Sequence, residues 1–459
     1  MVQFNDDWYF QYRTNLLSSP QVLNRSGHRE VAFALKGSAC EPIDQKYVEG
    51  ALKKLSPRHA SSVRGHMQFY RACLEAIAIV PPDPVVRSAV EIEWLWYSTP
   101  FKDFYRDHLA HVQKVTALAD FLVTSRDSPL CRGSTIPLDW IAQGMAERTL
   151  GNPALRHAAR RCGVVEVDGD AEQQRTFWRC ALHTSLRYAG LLHDMAYPSV
   201  MVHKVRKAAE PNSPFPAFKV LNDGRFESSY HLFAQSLCNL PYQSIEDESD
   251  KKAIIAHALD SEHNVQGALR VLQYGIENNA TWRLSSFEAF CLEWASLAIL
   301  MHDFDKPFGE VFKLKAPVKP TKNGRDGKNP TEEWYRQLAA RLDGEACFRP
   351  RFQDDPASYL LAFADQLQDF GRLNYTNQTD PSNLDQSLIA STYPFRSVSV
   401  DVDKNQHAKI DFQYSKRWKP DGLKDDRKQT DAQKIFEGNS WLDHTGLFAS
   451  VAIDVTQET

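Results

Sequence analysis

The text in this chain best suited to chemistry is AGLLHDMAYP, residues 189 to 198, where an apolar run ends in adjacent His193 and Asp194 ahead of a proline-marked turn. An imidazole and a carboxylate leaving one helix end side by side can begin a metal site. A single His-Asp pair is common by chance, however, and His302 with Asp303 makes a second. Order and context raise the first pair above that background. His111 lies in RDHLAHVQKVTALADFL (106 to 122) ahead of Val115, Leu118, Ala119 and Leu122, at the start of a helix whose apolar stripe faces a core. Downstream come His263 in DSEHNVQGAL, His302 at the end of SLAILMHD, and Asp365 in SYLLAFADQLQDF, each in or beside an apolar helical stretch. One histidine on such a face is ordinarily a satisfied core residue, and one aspartate an ion-pair or cap partner. Four histidines and two aspartates together are costly to bury unless something binds them.

In this order the residues resemble the HD superfamily of metal-dependent phosphohydrolases: a first His with Val four residues on, a His-Asp doublet after a Leu-rich run, two further histidines, and a final Asp. GLLHDMAYP is the most specific piece, and SYLLAFADQLQDFGR (358 to 372) is similar to the closing helix of some members. The resemblance runs from His111 to Asp365. It implies a mainly α fold, an HD-domain helical bundle with inserted helices. It also implies that His111, His193, Asp194, His263, His302 and Asp365 are metal ligands, with Asp194 bridging two ions and the His193–Asp194 pair central to catalysis. The two additional histidines distinguish a binuclear site from the mononuclear version. His108 shares the helix face of His111 and is the alternative first ligand, although the spacing to Val115, Leu118 and Ala119 favours His111. Asp303 reads either as an acceptor that orients an imidazole or as a solvent-facing acid at a helix end. The 70 residues from His193 to His263 depart from compact HD domains and imply insertions.

Imidazole and carboxylate without thiolate suit two divalent transition-metal ions, Mn or Fe by preference and otherwise Co, Ni or Zn, over Mg or Ca. Such a pair would share a carboxylate and a bridging hydroxide able to attack phosphorus. The chain has no GxSxG, GxxxxGK[ST], GxGxxG or HExxH text. Phosphate requires cations, and Lys204, Arg206 and Lys207 follow the doublet, Lys306 follows His302, and Arg372 follows Asp365. Lys204, Lys306 and Arg372 are the substrate-binding candidates, against the alternative that these are solvated surface charges. The expectation is a phosphohydrolase cleaving a phosphoester or phosphoanhydride of a nucleotide, a short oligonucleotide or another phosphorylated small molecule. A cyclic dinucleotide or a dinucleoside polyphosphate would fit. The doublet runs into MAYPSV, unlike the deoxynucleoside-triphosphate triphosphohydrolase branch. Two alternatives share the residue set: an HD-type diiron oxygenase, and a non-catalytic HD protein that senses a nucleotide.

The elements that must position these groups change character near residue 390. Before it, segments 67–79, 104–123, 177–192, 252–274 and 286–301 place apolar residues three and four apart, which predicts helices with one buried stripe. After it, SVSVDVD (397 to 403), KIDFQY (409 to 414) and FASVAIDV (448 to 455) alternate, the first two as a hairpin and the last after a short helix around 430–437. These patterns divide the chain into an N-terminal helical cap (1–100), an HD-like domain (101–385) and a C-terminal α+β appendage with a small antiparallel sheet (386–459). Trp94, Trp96 and Tyr97 read as packing the cap on the body. Two stretches, 207–226 and 313–330, read as surface loops. The second carries Lys313, Lys315, Lys319, Lys322, Arg325 and Lys328 against Asp326, either to close over a polyanion or simply to be solvated.

With 459 residues, 42% hydrophobic and 24% charged, the chain has material for a large core and is unlike a disordered segment. A formal charge of −4 argues against a surface that coats nucleic acid or an acidic membrane, so any basic site must be local. Eight scattered cysteines form no CxxC pair, which fits a reducing cytoplasm. MVQFNDDWYFQYR lacks the flank and apolar run of a signal peptide, and no stretch has the ~18 apolar residues of a membrane span, so a soluble cytoplasmic protein is expected.

Overall fold

The computed structural model describes residues 1–13, 16, 63–77, 108–164, 171–196, 263–264, 267–268, 270–271, 286–302, 352–353, 355–371, 395–414 and 447–457. They form a mainly helical body with a small four-stranded sheet. In chain order the elements are β1 (Val2–Asn5), α1 (Asp6–Tyr12), α2 (Val63–Ile77), α3 (His108–Thr124), α4 (Pro137–Gly151), α5 (Pro153–Arg161), α6 (Ala171–Leu192), α7 (Ser286–Met301), α8 (Pro356–Leu367), β2 (Phe395–Val402), β3 (His407–Tyr414) and β4 (Ser450–Gln457).

Helix starts follow local chemistry. Asn5 caps α1 by accepting from the Trp8 amide at 2.8 Å, with Asp6 and Asp7 in the first turn. Asp355 caps α8 by accepting from the Ser358 amide, and Pro356 takes the first helical position, where no backbone N–H is needed. The longest of these helices, α6, is central and packs against α3, α4, α7 and α8. Small residues allow that closeness. A Cβ added at Gly190 of α6 would stand 2.7 Å from Thr116 Oγ1 and 3.0 Å from Thr116 Cα, so the missing side chain sets the separation of α3 from α6.

Helix α3 departs from the single-stripe expectation, because every residue from His108 to Val123 is buried. Helices α1 and α2 cover the side that the periodicity assigns to solvent. The polar residues on that side are accordingly paired. Gln113 accepts from the Tyr9 hydroxyl at 2.9 Å and donates to the His66 carbonyl at 2.9 Å. Lys114 meets Asp6 at 2.7 Å and donates to the Gly371 carbonyl at 3.2 Å. Gly371 has φ +61, and a Cβ there would collide with the Asp6 carboxylate, so glycine alone lets these segments meet.

The sheet has order β1-β2-β3-β4. Its hairpin, β2 and β3, falls where the alternation predicts, but two expectations need correction. The chain's first residues supply an edge strand, β1, antiparallel to β2, so the N-terminal region opens as part of the sheet and is not wholly helical. The sheet is also mixed, since β4 runs parallel to β3. Residues 415–449 separate those two strands, well beyond the dozen or so that a parallel crossover needs. Register places Val2, Val400, Ile410 and Ile453 in one cross-strand row and Phe4, Val398, Phe412 and Val455 in the next. These rows form the core face. Phe4 stacks edge-on against Phe121 of α3 with ring centroids 5.6 Å apart, and Phe363 of α8 meets Phe448 at 5.5 Å, which fixes the sheet to the helices.

Cys73, Cys131, Cys162, Cys180 and Cys291 are free thiols. Among the described residues no helix is long and apolar enough to cross a membrane. The two expected loops, the helix around 430–437, and Trp94, Trp96 and Tyr97 lie outside the described residues.

Candidate metal centre

Helix ends create this site. The last carbonyls of an α-helix lack intrahelical donors, and a histidine just beyond the end can supply one. His193, immediately after α6, has Nδ1 2.8 Å from the Gly190 carbonyl, and His302, immediately after α7, has Nδ1 2.6 Å from the Ile299 carbonyl. The same local sequence, Leu-Leu-His-Asp and Leu-Met-His-Asp, thus produces the same turn twice. In each case the carbonyl fixes the proton on Nδ1, so Nε2 presents its lone pair outward. His111, in the first turns of α3, is held by Gln368, whose Oε1 lies within hydrogen-bond reach of Nδ1. Gln368 Nε2 donates to the Phe370 carbonyl at 2.9 Å, which turns its oxygen towards the imidazole.

All six residues expected as ligands come together. His111 Nε2 is 3.3 Å from His193 Nε2 and 2.9 Å from Asp365 Oδ1. His193 Nε2 lies 3.6 Å from Asp194 Oδ1 and 3.8 Å from Asp365 Oδ1. His263 Nε2 is 3.3 Å from His302 Nε2 and 3.6 Å from Asp194 Oδ1, while Asp194 Oδ2 faces His111 Nε2 at 3.6 Å. Asp194 therefore points one oxygen at His193 and His263 and the other at His111. Two overlapping groups, His111 with His193 and Asp365, and His193 with Asp194 and His302, each have their donor atoms within 4.8 Å of one another. His108, one turn earlier on α3, is also buried, and its charge is the last of the four histidine contributions that lower the Asp194 pKa, whereas His111 Nε2 lies directly against both carboxylates.

This donor set fits a cation. Ligand nitrogens about 2.0–2.1 Å from one ion, at tetrahedral to octahedral angles, stand roughly 2.8–3.4 Å apart. Both Nε2–Nε2 pairs match that spacing at 3.3 Å. With Nδ1 of His193 and His302 already committed to carbonyls, and that of His111 to Gln368, the Nε2 lone pairs of His111 and His193 face each other. A cation between them, or a proton on His111 Nε2 shared with Asp365, relieves that repulsion. The carboxylates add to this. Burial pushes the pKa of Asp194 up, but His193, His111, His263 and His108 overcome it and hold the group below the usual carboxylate range. Burial acts likewise on Asp365, which the hydrogen bond and charge of His111, then His193 and His302, hold well below that range. Among the described residues neither aspartate has a lysine or arginine partner.

Close packing supports the cluster. Tyr70 of α2 donates to the Leu191 carbonyl at 2.6 Å, and Asn264, beside His263, donates to the Leu300 carbonyl at 2.7 Å. Gly267 lets its segment approach α6 and α7, since a Cβ there would sit 3.2 Å from the His193 carbonyl oxygen. Sequence reasoning missed Gln368, which is not a ligand type. Its one signal was a polar residue directly after Leu367, the last apolar residue of α8. Lys204, Arg206, Lys207, Lys306, Arg372 and Asp303 lie outside the described residues. No protein-family model, curated protein or solved structure matches this chain.

Proposed function

We propose that the chain is a metal-dependent phosphohydrolase of HD type that cleaves a phosphoester or phosphoanhydride in a nucleotide or oligonucleotide-like substrate. The observation that carries this reading is the convergence of four histidine Nε2 atoms and two carboxylates held below their usual pKa range, from α3, the ends of α6 and α7, the His263 segment and α8. His111, His193, Asp194 and Asp365 would hold one divalent transition metal, and Asp194, His263 and His302 a second, with Mn or Fe favoured. Bound there, such ions supply Lewis acidity and lower the pKa of water. Asp194, with its oxygens directed to both halves of the cluster, would couple them. Gln368 and the Gly190 and Ile299 carbonyls keep the imidazoles in one tautomer and orientation, so the ligands need not reorganise during turnover. Lys204, Lys306 and Arg372 are proposed to neutralise substrate phosphate, because each follows a candidate ligand closely in sequence.

The test is a screen of Mn, Fe, Co, Ni, Zn and Mg against mono-, cyclic and polyphosphorylated nucleotides, run with and without oxygen, with His193→Ala and Asp194→Ala as controls. Metal-dependent release of a phosphorylated product under anaerobic conditions, lost in both variants, is expected. Turnover that requires oxygen would replace hydrolysis by oxygenase chemistry. Turnover undiminished in the variants would remove the reading.

A further inference from the structure

A second cluster of unspent hydrogen-bonding capacity lies where α1, α2, α3 and α6 meet, at Asp120 near the far end of α3 from His111 and at Arg187, six residues before His193 on α6. Arg187 of α6 donates from Nε to Asp120 Oδ1 at 2.7 Å and from Nη1 to the Leu16 carbonyl at 3.0 Å. Its Nη2 is buried with no partner. Arg13, just after α1, is 8% exposed, and both Nε and Nη1 are buried without a partner. Its guanidinium faces the rings of Phe10 at 4.8 Å and Phe69 at 5.3 Å. Those rings engage the face of the cation and leave its N–H edge unused.

The two guanidinium groups share a neighbourhood. Leu16 donates its amide to the Arg13 carbonyl at 3.1 Å and accepts Arg187 through its own carbonyl. Phe69 and Cys73 are one turn apart on α2. Burial pushes the Cys73 thiol up to about 12, against the opposing pull of Arg187 and Arg13, so both cations lie close to it. Among the described residues the charges do not balance. Asp120 offsets one arginine and is already committed to His183 at 2.7 Å and to Tyr12 at 2.8 Å. One buried cation and three N–H-bearing nitrogens remain, a combination that folding does not favour by itself.

We infer that Arg13 and Arg187 form a binding site for a small oxyanion, inorganic phosphate or the phosphoryl group of a phosphomonoester, that ties the N-terminal segment to the helical body. A phosphate can accept from more than one guanidinium, which is what the three unused nitrogens of Arg13 and Arg187 offer. The site is independent of the metal centre and of the reaction proposed there.

The experiment uses the full chain in EDTA, which keeps metals out of the other cluster. Inorganic phosphate and a nucleoside monophosphate are titrated against chloride at equal ionic strength, with melting temperature and calorimetry as readouts. A saturable 1:1 response is expected, with a rise of roughly 3 °C at a hundredfold excess over Kd. The tighter of the two ligands identifies the source of the anion. Arg13→Met should lose the response while melting no lower than the native protein in chloride, since an uncompensated buried charge has been removed. If Arg13→Met does not fold, Arg13→Lys should bind phosphate at least tenfold more weakly. No saturable response to either anion, or a response unchanged in these variants, would overturn the assignment.

Discussion

Gln368 offers the sharpest test of how the candidate metal cluster is held. It is fully buried, orients His111 through its oxygen and anchors itself to the Phe370 carbonyl at 2.9 Å. Replacing it by Leu leaves two buried polar groups, His111 Nδ1–H and the Phe370 carbonyl, without partners, at about 1–3 kcal/mol each. The added apolar burial returns part of this, on the order of 1.5–3 kcal/mol, so the metal-free protein should lose only about 1–3 kcal/mol. The larger effect belongs to the metal. Loss of a histidine's orienting partner typically weakens affinity 10- to 100-fold, which removes about 1.4–2.7 kcal/mol of metal-induced stabilisation at fixed metal. Denaturant titrations with and without Mn or Zn, beside calorimetric metal binding, separate the two terms. Gln368→Glu keeps an acceptor for His111 and should retain affinity better than Leu. A Leu variant that binds metal as tightly as the native protein would refute the claim that His111 is held ready by this amide.

Gly190→Ala should push α3 from α6 through Thr116; overpacking costs about 1–3 kcal/mol and offsets the roughly 1 kcal/mol helix-propensity gain, so a melting temperature at or below native with weaker metal binding is expected, measured by calorimetry. Phe4→Ala empties the site between the sheet and Phe121 and should cost about 3–5 kcal/mol by urea denaturation, showing that the first strand is integral to the fold. Burial raises the pKa of Asp120, but Arg187 and His183 hold it below the usual carboxylate range, and burial lowers that of His183. In both cases the unfolded state binds more protons, so stability should fall as pH drops below about 6.5 and further below about 4. Asp120→Asn should cost about 3–5 kcal/mol at neutral pH by leaving Arg187 buried and unpaired, and should flatten the low-pH part of the urea midpoint profile.

What the sequence disclosed follows from how local each signal is. His193 and Asp194 were legible because a helix end, a ligand pair and a turn all fall within ten residues, and the hairpin was legible because period-two alternation in Val398, Val400, Ile410 and Phe412 needs no distant partner. Gln368 and Gly190 were not, since one acts through an imidazole 257 residues away and the other through a side chain it lacks. Strand direction is absent from alternation, which reads alike forwards and backwards, so β4 could not be told from an antiparallel third strand. Four residues at the N-terminus are too few to show a period at all.

The charged interior of α3 shows a deeper reason. Gln113, Lys114 and Asp120 read as the wet side of a stripe, because periodicity assumes that a polar residue faces water. In the folded chain α1 and α2 cover that side, and each of these groups is matched from a different segment: Tyr9 and His66, Asp6 and Gly371, and Arg187 with His183. Helix α3 therefore carries His111 into the candidate metal cluster near one end and Asp120 into the arginine cluster near the other, with apolar residues buried between them. A rigid rod buried on all sides is a sound mount for metal ligands, because a ligand's position then depends on packing that cannot relax one residue at a time. It follows that substitutions at Lys114 or Asp120, which touch no ligand, should lower stability and metal affinity together. Substitutions of equal cost on α5, which packs against α4 and α7, should lower stability alone. Calorimetric metal titration of Lys114→Met and Ala158→Ser, compared at matched loss of stability, checks this; equal metal affinity in the two would show that the burial of α3 has no bearing on the cluster.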